Sequence, residues 1–335
     1  MPYKPSFTVS PVLVKAIEEM AVGRDRLVTA AVRVPWVPIL QKEAREKNTH
    51  GSTSIEGNTL SLEEVRMLDE GKDLLSAAEK EKREVRNYLD ALRRIEKAGA
   101  RGGRIGHHEV LDLHGVVMAG IIQAELAGRY RPHGVRVGSH VPPPPGKVHD
   151  LMTELLAWVN GPAGDLAPVI SSAILHFRFE DIHPFADGNG RTGRLLALWE
   201  LYRRGFDTLH VFSVDEYYWH NRQAYYRALQ EVRTNGGDLT HWIEFVAEAV
   251  LATMRQVLKR TAVLTGKSGR EPVVLRPKQE RLLELLRDTQ GMSPSQIWDA
   301  LKVSRQGAMD LLNPLMKAGM VKRVGGKKYG KYILS

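Results

Sequence analysis

Hydrophobic residues recur every three or four positions along most of this chain, which is the spacing of one face of an α-helix. In residues 77–97 the apolar positions on that face are Val85, Leu89, Leu92 and Ile95. The same spacing predicts helices over residues 107–118, 148–159, 166–182 and 191–201. The chain is therefore predicted to be mostly α-helical.

Polar residues mark where some of these helices begin. Ser10 stands before a proline, which is typical of a helix cap followed by the first turn. Ser61 and Glu64 have the spacing of a capping box. The first cap predicts a helix to about Ala21, and a second helical stretch is expected to begin near Arg24.

Residues 128–146 interrupt the helical pattern. Val135 and Val137 alternate with a polar residue, as in a β-strand, and four consecutive prolines follow at 142–145. Because proline has no backbone N–H to donate, these prolines end the strand in an extended conformation. We expect a small exposed β-hairpin here.

Residues 277–335 have a different order of elements. Three helices are predicted at 277–287, 293–301 and 304–317, and apolar residues then alternate with basic ones around Gly325 and Gly326, which favours a hairpin. This order resembles a winged helix-turn-helix. From residue 276 onward twelve Lys and Arg stand against five acidic residues, a difference of +7 out of the chain's +9. Such a charge fits DNA binding, but the same module also serves protein interaction or dimerisation.

Composition narrows the class of protein. The chain has 335 residues, enough for two or three domains, and 43% of them are hydrophobic. It has no cysteine, which excludes disulfides and thiolate metal sites. Neither a signal peptide nor a run long enough to span a membrane is found. We expect a cytoplasmic protein with no membrane partner.

Residues 183–194 contain the highest density of chemically useful side chains, H-P-F-A-D-G-N-G-R-T-G-R. Gly and Asn tolerate positive φ, so the sequence from Asp187 to Gly190 breaks one helix before the next begins. Free N–H groups and the dipole at a helix N-terminus favour an anion. Arg191 and Arg194 lie on one face of that helix and suit phosphate oxygens. A polyphosphate is therefore the expected ligand.

Two side chains at this loop suit catalysis. Asp187 is suited to Mg²⁺, which binds through one or two carboxylates and substrate phosphates. His183 is the side chain in the run best suited to remove a proton from an attacking hydroxyl. A calcium loop is excluded, because Arg191 and Leu198 stand where such a loop needs oxygen ligands. A purely structural turn would leave His183 and both arginines without a role.

This run resembles the signature of Fic-domain proteins, H-P-F-x-[D/E]-G-N-G-R-x-x-R, without a departure. The resemblance implies a helical Fic core with a β-hairpin flap above the site. It also implies AMP transfer from ATP to a Ser, Thr or Tyr hydroxyl of a protein, with Mg²⁺ as cofactor. In this reading His183 is the general base, Asp187 the metal ligand and Asn189 a donor to the α-phosphate. The nucleotide-binding residues are Gly188, Asn189, Gly190, Arg191 and Arg194.

A second stretch, residues 52–57, resembles the family's inhibitory motif, [S/T]-x-x-x-E-[G/N], with Ser52 and Glu56 as its defining residues. The resemblance implies that Glu56 pairs with Arg194 and so restrains the enzyme. In isolation the same residues fit a helix that ends at Gly57. Some family members use this glutamate to hydrolyse the AMP bond, so a deAMPylating enzyme is an alternative.

The predicted organisation has four parts. Residues 1–100 form an N-terminal helical region with the inhibitory motif, and residues 101–261 form the Fic core. Residues 262–276 are a linker, and residues 277–335 form the winged helix. Expected partners are ATP, a target protein, DNA through the last part, and a second copy of the chain. A nucleotide-sensing transcriptional regulator is the alternative from another functional class. Adenine is expected to contact a tyrosine, although core packing explains each candidate equally well: Tyr217, Tyr218, Tyr225 or Tyr226.

Overall fold

The structure, a computed structural model, describes residues 3–31, 37–265, 277–289, 291–317, 321–325 and 330–334. Over these residues the predicted helical class is confirmed. The helices are α1 Pro11–Ala31, α2 Val37–Ile55, α3 Leu62–Asp69, α4 Glu79–Gly99, α5 His107–Val117, α6 Pro145–Val159, α7 Pro168–Ile182, α8 Asn189–Arg203, α9 Val214–His220, α10 Arg222–Thr234, α11 Thr240–Thr265, α12 Pro277–Thr289, α13 Pro294–Leu301 and α14 Arg305–Lys317. The strands are β1 Val321–Val324 and β2 Lys331–Leu334.

The chain divides into two compact units. The first is Met1–Arg24 with Leu40–Arg255, and the second is Asp25–Ile39 with Gln256–Ser335. Residues 52–57 and most of the predicted core therefore lie in the first unit, whereas residues 25–39 of the predicted N-terminal region belong to the second. No boundary between the units falls near residue 100. Residues 266–276 of the predicted linker lie outside the described residues, and the linker's first residues belong to α11.

Helices α7 and α8 form the centre of the first unit. They pack against each other, and α8 also packs against α4 and α5. All but a few side chains of α8 are buried, on every face of the helix. A helix that is covered all round has no apolar stripe, which explains why its sequence is only weakly amphipathic. The site residues at its start are thus anchored in the most enclosed part of the unit.

The amphipathic face predicted for α4 is confirmed. Val85, Leu89, Leu92 and Ile95 are all buried, while six of the eleven Lys, Arg and Glu residues of the helix are exposed and one, Lys82, is buried. An apolar stripe with a polar opposite face is what a helix on the outside of a core requires. This stripe packs the helix against α8, α5 and α3.

The predicted helix starts are correct, but the division of α1 is wrong. Ser10 Oγ accepts a hydrogen bond from the Leu13 N–H, and Ser61 and Glu64 form both bonds of the capping box. The helix from Pro11 nevertheless continues past residue 21 to Ala31. Gly23 inside a helix costs about 1 kcal/mol relative to Ala, which tertiary contacts override. Here Arg24 donates to the Gly205 carbonyl at 2.8 Å.

The predicted β-hairpin flap is wrong as a pair of strands. Within residues 128–146 the only pairing in the described structure is one bridge between Val137 and His140, with N–H to carbonyl distances of 3.0 and 2.9 Å. Gly138 turns the chain with a φ of 57°. The ladder cannot extend because four prolines without N–H donors follow within two residues.

The C-terminal residues have the predicted order of three helices followed by a hairpin. β1 and β2 are antiparallel, with Val321 opposite Leu334 and Val324 opposite Lys331. Leu282, Ile297, Leu312 and Tyr332 belong to the buried cluster that α12, α13, α14 and the hairpin enclose. An unexpected backbone pairing between Met292 and Tyr332, at 2.9 and 2.8 Å, adds a short third segment beside β2. None of the helices in the described part of the chain is long and apolar enough to cross a membrane.

Helix α2 lies directly against the segment that leads into α9. Asn48 donates to the Phe212 carbonyl at 2.9 Å and accepts from the Asp215 N–H at 3.0 Å. A Cβ added to Gly51 would lie 2.4 Å from the Asp215 carbonyl oxygen. The glycine is therefore required for this close approach, although glycine normally weakens a helix.

We predict that Gly51→Ala lowers the free energy of unfolding by about 1–3 kcal/mol, because the added methyl meets backbone that cannot move aside. Gly115→Ala is the matched control, since its Cβ would meet its nearest neighbour at an ordinary 3.8 Å. That control is expected to be neutral or to stabilise by up to about 1 kcal/mol. Urea denaturation of both variants measures the difference, and equal effects would contradict the packing argument.

Candidate active site

The loop between α7 and α8 turns sharply at both ends. His183 ends α7 in the left-handed region, with φ 50° and ψ 61°, and its N–H donates to the Phe179 carbonyl. Gly188, with φ 77°, precedes the first turn of α8. A left-handed conformation in a non-glycine residue is strained by about 1–2 kcal/mol, so the surroundings must hold it.

Asn189 and Arg131 hold this loop. Both polar atoms of the Asn189 amide bond to the backbone of Phe185, at 2.8 and 2.9 Å. Arg131 is buried and donates to the His183 carbonyl at 2.8 Å and to the Pro143 carbonyl. Asn189 is thus engaged in shaping the loop, and its predicted role as a donor to phosphate stays a prediction. Sequence reasoning missed Arg131, which has no motif of its own.

His114 fixes the other end of the loop and is a core histidine. The Gly128 N–H donates to its Nδ1 at 2.9 Å, so the ring proton is on Nε2, which donates to the Asp187 carbonyl at 2.9 Å. The ring stacks on Phe185, with centroids 3.6 Å apart. Burial lowers the pKa of His114 to about 4, so the ring is neutral and this bridge persists at neutral pH.

The N-terminus of α8 forms a concave site, here called the cradle, which consists of Gly190, Arg191 and Arg194 with Glu56 above them. A Cβ added to Gly190 would lie 2.2 Å from Glu56 Oε1. The carboxylate of Glu56 therefore occupies the space that the missing side chain leaves. A helix N-terminus favours a negative charge at this place.

Arg194 is buried, with 1% of its side chain exposed. It donates hydrogen bonds to two residues of the predicted inhibitory stretch. Its Nε donates to Ser52 Oγ at 2.8 Å, and its Nη2 donates to the Ser52 carbonyl at 3.0 Å and to Glu56 Oε1 at 2.8 Å. The structure thus brings together the three residues that the sequence placed in one regulatory contact.

Glu56 follows the last residue of α2, and Gly57, with φ 99°, ends the helix as predicted. Burial alone would raise the pKa of Glu56, but the Arg194 guanidinium, with smaller contributions from Arg191 and Arg222, holds it below its usual range. The side chain stays 31% exposed, so this ion pair is not sealed from solvent. Glu56 is therefore a charged carboxylate at neutral pH, held at the edge of the cradle.

Arg191 is less satisfied than Arg194. Its guanidinium is buried, yet among the described residues its Nε and Nη1 have no hydrogen-bond partner. Glu84 lies 3.4 Å from Nη1 and Asp187 lies 3.6 Å from Nη2, both as ion pairs. Buried donors are normally hydrogen-bonded, so this under-satisfied cation is suited to an anionic ligand.

Asp187 lies at the mouth of the loop with 58% of its side chain exposed. Its Oδ1 accepts from the Gly188 N–H at 2.5 Å. In the part of the chain that the structure describes, no group of three or more His, Cys, Asp or Glu residues is placed to hold a metal. Asp187 alone suits a metal that is bound mainly by substrate phosphates and water.

His183 is partly buried beside the loop, and its Nδ1 has no hydrogen-bond partner. Burial, followed by the nearby Arg131 and Arg233, lowers the pKa of His183 to about 4. The imidazole is therefore neutral at neutral pH, which is the form that can accept a proton.

Sequence reasoning did not assign a role to Glu180, which lies one helical turn before His183. Its Oε1 is buried without a partner, and its Oε2 is 3.8 Å from His183 Nδ1. The carboxyl fits against α8 because Gly193 has no side chain there, where a Cβ would lie 2.5 Å from Oε1. Burial raises the pKa of Glu180 to about 7, with Glu56 adding to the shift and Arg194 opposing it.

The four candidate tyrosines separate by burial. Tyr218 and Tyr225 are buried in an aromatic cluster with His176 and Trp242. Tyr226 is 45% exposed, and its hydroxyl lies 3.5 Å from the Ile55 carbonyl, at the end of α2. Tyr217 is half-buried and contacts Phe245. Tyr226 is therefore the most exposed of the four candidates and lies near the end of α2, and its contact with adenine stays a prediction.

Residues 104–201 match the family described as Fic/DOC family. This segment contains the whole of the loop and cradle on α8, together with His114, Arg131 and Glu180. The match to the Fic/DOC family is therefore centred on α7 and α8.

Curated relatives extend the match beyond that domain. "Protein adenylyltransferase Fic" of Culex quinquefasciatus is 30% identical over 269 residues, which are 79% of this chain and 51% of the relative. The protein of the same name in Drosophila virilis is 32% identical over 231 residues, 67% of this chain and 45% of the relative. The chain thus spans about half the length of the curated relatives it matches.

Two solved structures are also similar, one of them over nearly the whole chain. A Fic family protein from Desulfovibrio desulfuricans G20 is 27% identical with a TM-score of 0.71, covering 99% of this chain and 98% of that one. A fragment of Fic-1 from C. elegans is 26% identical with a TM-score of 0.61, covering 75% and 73%. The Fic fold of the first unit is therefore supported by sequence and by structure.

We predict that Glu180→Gln changes the free energy of unfolding, relative to the unmodified protein, more favourably at pH 8 than at pH 5. The pKa of Glu180 is higher in the folded chain, about 7, than its ordinary 4.5, so the folded state favours the protonated carboxyl. Its stabilising effect is complete below pH 4.5 and is lost as pH rises to 7. The neutral amide avoids that loss, which amounts to roughly 2–3 kcal/mol.

Urea denaturation at pH 5 and pH 8 measures this prediction. Glu63→Gln is the control, because the Glu63 side chain is 72% exposed. Parallel pH dependence of the Glu180 variant and the unmodified protein would contradict the assignment.

Proposed function

We propose that this chain is a protein adenylyltransferase, which transfers AMP from ATP to a Ser, Thr or Tyr hydroxyl of a protein and releases pyrophosphate. The observation that carries the proposal is the cradle. A helix N-terminus, an under-satisfied Arg191 and a buried Arg194 converge on one place, and the chain's own Glu56 carboxylate stands in for an anion there. The names of the curated relatives support the same reaction.

His183 serves as general base in this proposal. Its neutral ring accepts the proton of the attacking hydroxyl as the new bond to the α-phosphorus forms and the bond to pyrophosphate breaks. Arg191 and Arg194 bind the oxygens of the β- and γ-phosphates and stabilise the charge that develops on the leaving group. The negative charge of the nucleotide would also raise the low pKa of His183 and strengthen it as a base.

The residues present fit a Mg²⁺ ion bound with the nucleotide. Asp187 is exposed at the loop mouth and uses only Oδ1 in its bond to the Gly188 N–H and its ion pair with Arg191, which leaves Oδ2 for a metal. One carboxylate with phosphates and water is a usual Mg²⁺ environment. When bound, the ion would neutralise charge on the phosphates.

Glu56 restrains the reaction in this proposal. It engages Arg194 and lies against Gly190, so the γ-phosphate and the Glu56 carboxylate compete for one cation and one space. Ser52 holds the same guanidinium with two further bonds, one from its side chain and one from its backbone. ATP that binds while Glu56 is in place is held in a non-productive pose.

We predict that Glu56→Gly raises AMP incorporation by on the order of tenfold or more, because a charge-assisted hydrogen bond of about 1.5–3 kcal/mol no longer opposes productive binding. The measurement is the 5′-AMP adduct on the protein, by mass spectrometry after incubation with ATP and Mg²⁺. Glu63→Gly, the same change at an exposed carboxylate, is expected to have no effect.

The double variant Glu56→Gly with His183→Ala tests the chemistry in the same assay. Its incorporation is expected to fall by about 10²–10⁴-fold while nucleotide binding is kept, because only the general base is removed. His108→Ala is the control for a histidine at an exposed position. Unchanged incorporation in Glu56→Gly would overturn the restraining role of Glu56. Full activity of the double variant would overturn the role of His183 as general base.

We propose a second function for residues 277–335, here called the C-terminal segment, whose order of elements supports a winged helix that binds DNA. Arg305 and Gln306 are exposed at the start of α14, where the Gly307 N–H is capped by Ser304 Oγ. Lys322 and Lys331 are exposed on the hairpin. Basic residues at a helix start and on a hairpin suit phosphate contacts along a groove.

We expect the protein to bind a DNA duplex through the C-terminal segment and to retard the duplex in a gel at low salt. The retardation is expected to weaken as the salt concentration rises. Arg305→Ala should lower the slope of affinity against salt concentration by about 1, since one phosphate contact is lost. Arg101→Ala, at an exposed position outside the C-terminal segment, is the control. Absence of any shift at low salt would favour a protein-interaction role for residues 277–335.

A further inference from the structure

A cavity of about 460 Å³ lies in the first unit, apart from the cradle. Its walls are the N-terminal residues 3–6, one side of α7, the end of α10 with the turn after it, and His140 from the segment above the loop. Neither Glu56 nor the two cradle arginines line it. Its volume is within the range of about 300–1,000 Å³ that is usual for small-molecule pockets.

The charged side chains that line this cavity are mainly cations. Arg178, Arg233 and Lys4 contribute positive charge, and Asp181 is the acidic residue among the lining residues. Arg178 Nη1 lies 2.7 Å from Asp181 Oδ2, whereas Arg233 Nε lies 3.9 Å from Asp181 Oδ1. A single carboxylate is thus shared between two guanidinium groups, and only one of them is closely paired.

The two guanidinium groups have more donors than partners. Each arginine has five N–H donors. Within the described residues Arg178 makes one hydrogen bond, to Asp181, and Arg233 makes one long bond of 3.4 Å, to the Glu180 carbonyl. The Nε atoms of both are buried and have no hydrogen-bond partner among these residues. Burial also lowers the pKa of Arg233, which is the effect of removing a cation from water without full compensation.

Aromatic rings support the two guanidinium groups. Arg178 lies over the ring of Tyr3, 5.1 Å from its centroid, and Arg233 lies over Phe177 at 6.0 Å. Stacking on a ring restrains a guanidinium group while it leaves its edge available for hydrogen bonds. The cavity therefore has cations that are restrained, desolvated and short of acceptors.

We propose that this cavity binds an anion with a carboxylate or phosphate group, held by Arg178 and Arg233. Both groups present paired oxygens that match the guanidinium fork. The anion would replace the weak contact of Arg233 with Asp181, while Arg178 keeps its close ion pair. The volume leaves room for further atoms beyond the charged group itself.

The position of the cavity suggests where such a group comes from. Asp181 precedes His183 by two residues, and its carbonyl accepts a hydrogen bond from His140 Nε2 at 3.0 Å. The anion would therefore lie between the catalytic loop's own helix and the segment above it. If the proposed transfer reaction is correct, an acidic side chain of the target protein can reach this place; a free small anion is the other source.

Calorimetric titration without ATP, at constant ionic strength, tests the proposal. The probes are citrate, inorganic phosphate, and the blocked peptides Gly-Asp-Gly and Gly-Asn-Gly. At least one anionic probe is expected to bind, with the Asn peptide as the neutral comparison. Arg233→Gln should weaken binding by about tenfold or more, which corresponds to ~1.4 kcal/mol. Binding of citrate or phosphate alone identifies a free anion, and binding of the Asp peptide identifies an acidic side chain.

Three further variants make the result specific. Arg227→Gln, exposed on the same helix as Arg233, and Arg191→Gln, in the cradle, should leave binding unchanged. Asp181→Asn should tighten binding, because it removes the competing carboxylate, whereas a purely structural role for these residues would give weaker binding in every cavity variant. The proposal is overturned if no probe binds, if Arg233→Gln binds normally, or if Arg191 governs the affinity. Because ATP is absent, these outcomes do not depend on the transfer reaction.

Discussion

The structure of the site depends on the buried guanidinium of Arg194. A cation taken out of water is stable only when partners satisfy it, and Ser52 and Glu56 supply three hydrogen bonds from α2. Asp215 accepts a hydrogen bond from the Tyr88 hydroxyl at 2.6 Å, and its carboxylate interacts electrostatically with the same guanidinium. One charge on α8 thereby ties together α2, α4 and the start of α9.

This arrangement explains why α2, from Leu40 onward, belongs to the first unit. Helix α2 is fixed at one side by Asn48 and Gly51, which lie against the segment before α9, and at its end by Arg222, which donates to the Ile55 carbonyl at 2.7 Å. Glu56 follows immediately. Its place over the cradle is therefore set by packing along the helix, so the contact between Glu56 and Arg194 belongs to the folded unit.

The sequence predicted the helical class, most helix positions and the residues of the cradle, because periodicity and a dense motif are local signals. It failed for the flap, where alternating valines indicated strands but nearby prolines limit pairing to one bridge. It also missed Arg131 and Glu180. Arg131 contacts a loop that is about 50 residues away in the sequence, and Glu180 is buried on α7 one turn before His183. A single sequence does not show either contact.

Gly190 limits which substitutions can be accepted at this position during evolution. The same missing side chain that exposes the start of α8 also makes room for the Glu56 carboxylate. A bulkier residue there would displace the Glu56 carboxylate and fill part of the cradle in a single step. In the proposed function, nucleotide binding and its competition with Glu56 therefore share one structural requirement, so neither can be altered at this position while the other is preserved.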